Sequence, residues 1–447
     1  MDTGYDLRFF VGQRVSSRLK EEIGLIGLIA VIVGLNIGGS LFVLTTVAAG
    51  LTGSSLILVQ LVSATPIILS VPAYAMLSSA MPTTCANYQY AKLFSRPLAV
   101  AAWMVLFIAL PLGMLPLFAV AAAKLVAVLI PAAAVTPTAI AVMCVIYLIN
   151  VLGVRLTTQV QFVGVGILSA ALLTFIFGGL PSVQISNLSL SFAGGVTGFL
   201  GASAILYTLL AGGLFGIEMG DEIRNARKVI PRALIASIVI VLVLYLLIEI
   251  VAVGVVGWEK MSEGTLGDVA AAFLSGFPLG LFVVGGGIMA STTTINMALT
   301  AAGRYVLAFS IDGYFPRFFS RVNERFGTPH AGLTLVFVMT VVALGFSPDL
   351  MTLGQMVNFG LLFLVTLVLL ASVRMLQRHP ETYSHSTLRV KPRFMKVTAI
   401  CAVIINVLFM LILAIALKWT FLFFAGAIAF GFAIFYMKQR GILRRIL

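Results

Sequence analysis

Apolar runs of about 20 residues, each long enough to cross a lipid bilayer, recur along nearly the whole chain. Hydrocarbon offers no hydrogen-bond partners to the backbone, so only helices or closed barrels can span it. A barrel would show short alternating segments rather than continuous apolar runs. The composition agrees, because 61% of the residues are hydrophobic and 10% are charged, whereas a soluble domain carries roughly 25% charge. The sequence therefore predicts an all-α polytopic membrane protein.

Glycine, proline and charge clusters divide the chain into about twelve predicted spans. We expect no signal peptide before the first span, because the first 22 residues are charged and lack an apolar stretch. The predicted spans are residues 23–49, 54–79, 97–123, 136–153, 159–181, 194–219, 230–257, 271–309, 331–346, 350–373, 396–417 and 419–437.

The basic residues lie almost entirely in alternate connecting segments. If the N-terminus is cytoplasmic, only Lys124, Lys260 and Lys418 fall on the outer side. Lysine and arginine concentrate in the cytoplasmic loops of membrane proteins. The sequence therefore predicts a multi-pass protein of the plasma membrane with both termini cytoplasmic. This orientation also explains the net charge of +13, so we expect no nucleic-acid partner.

The cysteines and histidines lack the spacing of a disulfide framework or a metal site. They are Cys85, Cys144, Cys401, His330, His379 and His385. The sequence also shows no catalytic dyad and no phosphate-binding loop that could power a pump. We therefore predict free thiols, no resident metal or cofactor, and no enzymatic activity.

The first and sixth spans each contain a glycine cluster, at residues 34–40 and 211–216. Glycine disfavours helix, and a helix opened within lipid must have its freed backbone groups satisfied elsewhere. The clusters lie five spans apart, at equivalent places in two five-span halves. Because each half has an odd number of spans, the second half enters the membrane in the opposite orientation to the first. Secondary transporters use such inverted repeats, whose broken helices meet a substrate at the membrane midplane. Close helix packing through small residues explains the same glycines equally well.

The ends of a broken helix offer complementary chemistry. An N-terminus exposes free N–H groups and partial positive charge, which suits a carboxylate. A C-terminus exposes carbonyl groups, which suit an ammonium group or a metal cation. Glycine lets a ligand approach the backbone closely. A zwitterionic amino acid carries both complementary groups and is the substrate that this arrangement favours.

Three passages resemble the amino acid–polyamine–organocation superfamily of transporters. Residues 34–42 are similar to the span-1 pattern of the family, with its central triplet permuted to Gly38-Gly39-Ser40. Residues 221–233 are similar to the acidic pair, the asparagine and the Pro-Arg-Ala of the family, with Ala226 in place of a proline. Residues 291–329 resemble the eighth span and the loop that follows it.

The resemblance covers roughly residues 23–375 and implies five plus five inverted spans with discontinuous helices 1 and 6, then two additional spans. It also implies a substrate among the amino acids or related amines. The predicted segments are a cytoplasmic N-terminal segment (1–22), a first repeat (23–182), a second, inverted repeat (183–375), a cytoplasmic loop (376–395), two additional spans (396–437) and a cytoplasmic tail (438–447).

The same resemblance implies a substrate site at the two glycine clusters. N–H groups of the first cluster would bind the substrate carboxylate, and carbonyl groups of the second would bind its ammonium. Asn36 could line the pocket or bond a neighbouring helix. The candidate substrate-binding residues are Asn36, Ile37, Gly38, Gly39, Ser40, Ala211, Gly212, Gly213 and Leu214. Many relatives close an outer gate with an aromatic residue at a position that corresponds here to Thr208, beside Tyr207.

Some proton-coupled relatives carry a lysine in span 5, and the corresponding residue here is Leu168. The sequence therefore leaves three possibilities for coupling: a proton, sodium, or exchange without an ion. The hydroxyls of Ser291, Thr292 and Thr294 could bind sodium, or could bond back to their own helix. Glu249 lies within the seventh span, where a charge costs roughly 2.5–3.5 kcal/mol, and is a candidate proton carrier. Alternatively, it is a protonated or paired carboxyl near the outer interface.

Charged residues near the cytoplasmic ends of the spans predict an inner charge network that opens and closes. Its candidate members are Asp221, Glu222, Arg155 and Arg321. Glu218 lies close by, at the end of the sixth span, where we expect water to solvate it. The sequence thus favours a secondary transporter of amino acids that works by alternating access. A transporter of polyamines or other organic amines and a non-transporting membrane sensor are the alternatives.

Overall fold

The computed structural model describes residues 23–83, 85–218, 220, 223–346, 350–378, 386–388, 390–416 and 418–440. Within these residues, eight helices are long and apolar enough to cross a membrane, and shorter apolar helices account for the remaining spans. The predicted fold class, an all-α polytopic membrane protein, is confirmed.

The helices follow the predicted order of twelve spans. Span 1 and span 6 each consist of two helical segments, and spans 3 and 8 each contain a π-helical segment. The bounds are Leu25–Asn36 and Gly39–Thr52 for span 1, Leu56–Ala80 for span 2, Arg96–Ala109, Leu110–Met114 (π) and Leu115–Leu129 for span 3, Val135–Val151 for span 4, Val154–Gly179 for span 5, Gly195–Ala211 and Gly212–Glu218 (3-10) for span 6, Ala226–Val256 for span 7, Gly276–Gly280, Leu281–Ile288 (π) and Met289–Ile311 for span 8, His330–Gly345 for span 9, Leu350–Arg378 for span 10, Pro392–Ala416 for span 11 and Lys418–Gln439 for span 12.

Shorter helices connect the spans. They are Gly53–Ser55, Ala86–Phe94, Leu180–Ser182, Ile185–Leu188, Trp258–Ser262, Leu266–Ala271 and Arg317–Ser320. One of them corrects the predicted start of span 8 at residue 271. Thr265 and Asp268 form a reciprocal capping box, in which the Thr265 N–H donates to Asp268 Oδ2 at 2.7 Å. This box starts a separate short helix, and span 8 itself begins at Gly276.

Both predicted discontinuities are present, in different forms. Span 1 ends its first helix at Asn36, and Gly38 is extended at φ −103° and ψ 176° before the second helix begins at Gly39. Span 6 instead tightens from an α-helix into a 3-10 segment at Gly212. The broken-helix prediction for spans 1 and 6 is therefore confirmed.

Corresponding elements of the two halves make corresponding contacts. The short helix Ala86–Phe94 follows span 2 and contacts the second segment of span 6. The short helices Trp258–Ser262 and Leu266–Ala271 follow span 7 and contact the second helix of span 1. The two π-helical segments also lie in equivalent spans, 3 and 8. These matched features support the division into repeats 23–182 and 183–375, which we propose for this chain.

Candidate functional site

The two helix breaks contact each other directly. The Gly213 N–H donates to Asn36 Oδ1 at 2.6 Å. A Cβ atom added at Gly212 would lie 2.6 Å from the Leu35 carbonyl oxygen, and one added at Gly213 would lie 2.6 Å from Asn36 Nδ2. Real Cβ atoms do not approach other atoms so closely, so Gly212 is required beside the Leu35 backbone, whereas a side chain at residue 213 would have to displace the Asn36 amide. The breaks of spans 1 and 6 therefore form one structural unit, and Asn36 bonds the neighbouring helix.

A tyrosine of span 7 makes hydrogen bonds to this unit. The Tyr245 hydroxyl lies 2.6 Å from the Asn36 carbonyl oxygen and 3.1 Å from the Leu209 carbonyl oxygen, and donates to both. These carbonyls lie in the last turns of the first helices of spans 1 and 6, where the helix dipole places partial negative charge. The hydroxyl thus satisfies the two C-terminal ends that would attract a substrate ammonium.

The start of the second helix of span 1 is packed against spans 3 and 8. A Cβ atom at Gly38 would lie 2.6 Å from Phe118 Cε1 and 2.7 Å from Thr294 Oγ1, and one at Gly39 would lie 1.8 Å from Ser291 Oγ. The first N–H groups of a helix have no partners within that helix. In this conformation the packing leaves no room for a methyl group on either glycine, so spans 3 and 8 pack closed against this end of the helix.

The remaining candidate substrate-binding residues are buried as well. Ile37 lies within the span-1 break, Ser40 lies in the first turn of the second helix of span 1, and Ala211 precedes the 3-10 segment of span 6. The carbonyl oxygen of Leu214 accepts a hydrogen bond from Asn87 Nδ2 at 3.4 Å. The structure therefore brings the predicted residues of spans 1 and 6 together, while their role in binding substrate stays a prediction.

The two candidate gate residues are both buried in the first helix of span 6. The Tyr207 ring packs edge-on against Phe409 of span 11, with ring centroids 6.3 Å apart. Thr208 is buried beside it in the first helix of span 6. Tyr207 thus contacts one of the two additional spans, and the gate assignment stays a prediction.

The span-8 hydroxyls divide between the two predicted arrangements. Ser291 donates to the Gly287 carbonyl at 3.0 Å, and Thr292 donates to the Met289 carbonyl at 3.0 Å. Both therefore bond back to their own helix. Thr294 instead donates across to the Gly34 carbonyl of span 1 at 3.3 Å. It is the candidate that links span 8 to the broken helix, and a sodium-binding role stays a prediction.

Glu249 lies deep within span 7. Its side chain is 0% exposed, so protein atoms cover it completely. Neither carboxyl oxygen has a hydrogen-bond partner among the described residues. Glu249 follows Tyr245 by four residues, which is about one helical turn along the same face. The carboxyl is therefore buried beside the tyrosine that holds both breaks.

Most of the predicted inner charge network lies outside the described residues. This holds for Asp221, Glu222 and the side chain of Arg155. Arg321 is exposed. An ion pair is present elsewhere: Lys92 Nζ is 3.0 Å from Asp312 Oδ2, which also accepts a hydrogen bond from the Tyr88 hydroxyl at 2.8 Å.

The expected solvation of Glu218 is wrong, because this residue is buried. Its Oε1 atom accepts hydrogen bonds from Asn87 Nδ2 at 2.5 Å, from the Asn87 N–H at 3.2 Å and from the Tyr305 hydroxyl at 2.5 Å. We call Glu218, Asn87 and Tyr305 the Glu218 cluster. The helix Ala86–Phe94 folds over the end of span 6 and excludes water, which the hydrophobic pattern of span 6 alone does not reveal.

A small cavity adjoins the Glu218 cluster and reaches the first helix of span 1. Its lining residues are Leu35, Cys85, Glu218, Met297, Thr300, Ala301, Arg304 and Tyr305. Within the described residues, no group of histidine, cysteine, aspartate and glutamate side chains could hold a metal ion. The cavity thus lies between the first helix of span 1 and the ends of spans 6 and 8, and the buried Glu218 carboxyl lines it.

A bundle of apolar spans in which two interrupted helices contact each other defines a multi-pass membrane protein of the broken-helix type. Residues 23–438 match the amino acid permease family, and the chain belongs to that family. The resemblance to the amino acid–polyamine–organocation superfamily is thereby confirmed. The family consists of permeases, so this protein is a membrane transporter and not an enzyme.

Several curated proteins are similar to the chain over most of its length. The methylthioribose transporter of Bacillus subtilis (strain 168) is 26% identical over 389 residues, which cover 83% of this chain and 84% of that protein. The branched-chain amino acid permease BcaP of the same organism is 24% identical, with 94% of each chain covered. The vacuolar cationic amino acid transporter 4 of Arabidopsis thaliana is 25% identical, with 78% of this chain and 62% of that protein covered.

Proposed function

We propose that this protein is a secondary active transporter of amino acids that binds its substrate at the breaks of spans 1 and 6 and works by alternating access. The observation that carries the proposal is the direct contact between the breaks, made by the Gly213 N–H and Asn36 Oδ1. A ligand that enters between them meets the backbone of both repeats at once. Its binding energy can therefore act on both halves of the protein.

The polar groups at the breaks suit an α-amino acid. N–H groups at Gly39 and Ser40 begin a helix and suit the carboxylate. The carbonyls of Asn36 and Leu209 end helices and suit the ammonium. The Tyr245 hydroxyl already donates to these two carbonyls. A bound ammonium would therefore share them with Tyr245 or displace its hydroxyl, which ties substrate binding to span 7.

The close packing at the break supports alternating access. Phe118, Ser291 and Thr294 cover the start of the second helix of span 1, so a substrate enters only after spans 1, 3 and 8 separate. We propose that the Glu218 cluster closes the cytoplasmic side and that spans 3 and 8 open on either side in turn. In this scheme both termini are cytoplasmic and the protein resides in the plasma membrane.

The substrate class is tested by a panel chosen from the relatives. Branched-chain amino acids, cationic amino acids and methylthioribose correspond to the three transporters compared above. Polyamines test the alternative of organic amines. We expect an amino acid, because the breaks present both N–H and carbonyl groups, whereas methylthioribose lacks the ammonium and polyamines lack the carboxylate.

The decisive experiment is counterflow in proteoliposomes. The purified protein is reconstituted in liposomes loaded with one unlabelled compound, and uptake of the same labelled compound is followed without any ion gradient. We expect saturable uptake of one class of amino acid that is absent from empty liposomes. Folded protein that exchanges polyamines but no amino acid would reject the substrate class, and folded protein that exchanges nothing would favour the sensor.

A further inference from the structure

Glu249 is an acid whose surroundings suit only its neutral form. It lies in span 7, is 0% exposed, and has no hydrogen-bond partner for either oxygen among the described residues. An ionised carboxylate there would have lost its water without gaining a partner, which is strongly unfavourable. Acids placed in this way within membrane spans mark functional sites. The packing shown here therefore selects the protonated carboxyl.

Glu249 is linked to the helix breaks through Tyr245. The two residues are one turn apart on span 7, on the same face of the helix. The Tyr245 hydroxyl donates to the carbonyls of Asn36 and Leu209. A rearrangement of spans 1 and 6 must therefore move or release Tyr245, and with it the packing that encloses Glu249.

No titratable group in the described part of the chain is hydrogen-bonded to Glu249. Span 7 is packed against spans 1, 2, 5 and 6 and against the short helices that connect spans 5 and 6 and spans 7 and 8. None of the described groups on these elements makes a hydrogen bond to either oxygen of the Glu249 carboxyl. The titratable residues on these elements, apart from Arg155 with its undescribed side chain, are Tyr74, Tyr207, Glu218, Glu259, Lys260 and Asp268.

We propose that Glu249 is the proton-binding site that couples transport to pH, with Tyr245 as the positioning residue that links it to the breaks. The inference rests on the proposed function above. The carboxylate takes up one proton to give the neutral acid in the closed packing, and it returns that proton when the breaks open and water reaches it. A group that binds a proton in one conformation and loses it in another makes the conformational equilibrium depend on pH.

The test separates coupling from transport. Wild-type protein, Glu249→Gln and the matched control Glu259→Gln are reconstituted with a pH-sensitive dye inside the liposomes. Glutamine retains the shape of the neutral acid but cannot titrate, and Glu259 is an exposed carboxyl close by in sequence. The labelled amino acid with the strongest counterflow in the wild type is used for two measurements. These are counterflow at equal pH and accumulation under an inward proton gradient with the luminal pH recorded.

We expect the wild type and Glu259→Gln to accumulate substrate and acidify the lumen together. We expect Glu249→Gln to retain counterflow while its gradient-driven accumulation falls about tenfold, within the range typical of coupling between sites. The proposal is overturned if Glu249→Gln accumulates substrate and acidifies the lumen like the wild type. Loss of counterflow in Glu249→Gln also overturns it, because the side chain would then be required for exchange itself.

One measurement does not depend on any variant. Wild-type protein that accumulates the amino acid without moving protons overturns the inference and leaves the proposed function standing. Wild-type protein without counterflow for any amino acid rejects the proposed function, and the inference fails with it. The two failures are therefore distinguishable.

Discussion

Substitution of Gly39 by alanine tests the closed packing of the broken first span most directly. The added Cβ would lie 1.8 Å from Ser291 Oγ and 2.9 Å from Ser291 Cβ. A rotation of Ser291 removes the first clash but not the second, so spans 1 and 8 must separate slightly. The substitution acts where we propose that substrate binds, and its effect should reach both stability and transport.

The expected size follows from the cost of overpacking. Adding carbon atoms to a filled interior costs about 1–3 kcal/mol. If this cost falls on the closed conformation alone, the ratio of closed to open protein falls by about 5- to 150-fold. We therefore expect Gly39→Ala to lower the melting temperature and to reduce counterflow by about tenfold or more at fixed substrate concentration.

A double-mutant cycle assigns the effect to this contact. Ser291→Gly removes both clashing atoms, after which the nearest atom to the new Cβ is Ala121 Cβ at 3.3 Å. We expect the double variant to be more stable than the sum of the single effects allows, by about 0.5–3 kcal/mol. Gly166→Ala is the matched control, because an added Cβ there meets nothing within 4 Å.

The assays are melting by intrinsic fluorescence in detergent and counterflow in liposomes, on all four variants. Gly39→Ala with wild-type melting and wild-type counterflow would refute the reasoning, since the structure leaves no space for the methyl group. A double variant no better than the additive expectation would show that the damage lies outside the contact with Ser291. A Gly166→Ala variant as damaged as Gly39→Ala would attribute the effect to glycine loss in general.

Three further predictions address the contacts around the site. Tyr305→Phe removes one hydrogen-bond donor from Glu218, at a cost of about 1–3 kcal/mol. In protein whose other cysteines are replaced by alanine, it should speed alkylation of Cys85 in the adjoining cavity. An unchanged alkylation rate would argue that the Glu218 cluster does not close the cytoplasmic side. Tyr245→Phe removes the hydroxyl that donates to the Asn36 and Leu209 carbonyls, and it should destabilise the protein by about 1–3 kcal/mol. The measurement is the melting temperature, which should fall. An unchanged melting temperature would contradict the role of Tyr245 in holding the breaks. Asp312→Asn removes a partly buried ion pair and should lower the melting temperature with little change in counterflow, whereas a selective loss of counterflow would place this pair in the transport cycle.

The length and placement of the spans could be predicted from the sequence, because a membrane span is a local property of about 20 consecutive residues. The breaks could also be located, since glycine weakens a helix wherever it stands. The glycines at residues 212 and 213 also indicated that another segment packs closely against span 6, and the structure shows that this segment contains Leu35 and Asn36.

The partner of each polar side chain could not be predicted in the same way. Ser291 and Thr294 lie three residues apart on span 8, yet one bonds its own helix and the other bonds span 1. Glu218 looked solvated because it ends a span, and it is buried because the helix Ala86–Phe94 covers it. These outcomes depend on how each helix is rotated about its axis and on segments distant in sequence.

The sequence by itself thus determined the membrane class, the order of the spans and the positions of the two breaks, because hydrophobic length and glycine content act locally. Only the tertiary structure decided that the breaks touch each other, that Tyr245 holds both of them, and that the buried Glu249 beside it lacks a partner among the described residues. The physical reason is that a hydrogen bond requires two groups within about 3 Å, and spans 1, 6 and 7 reach that distance only when the whole bundle is packed.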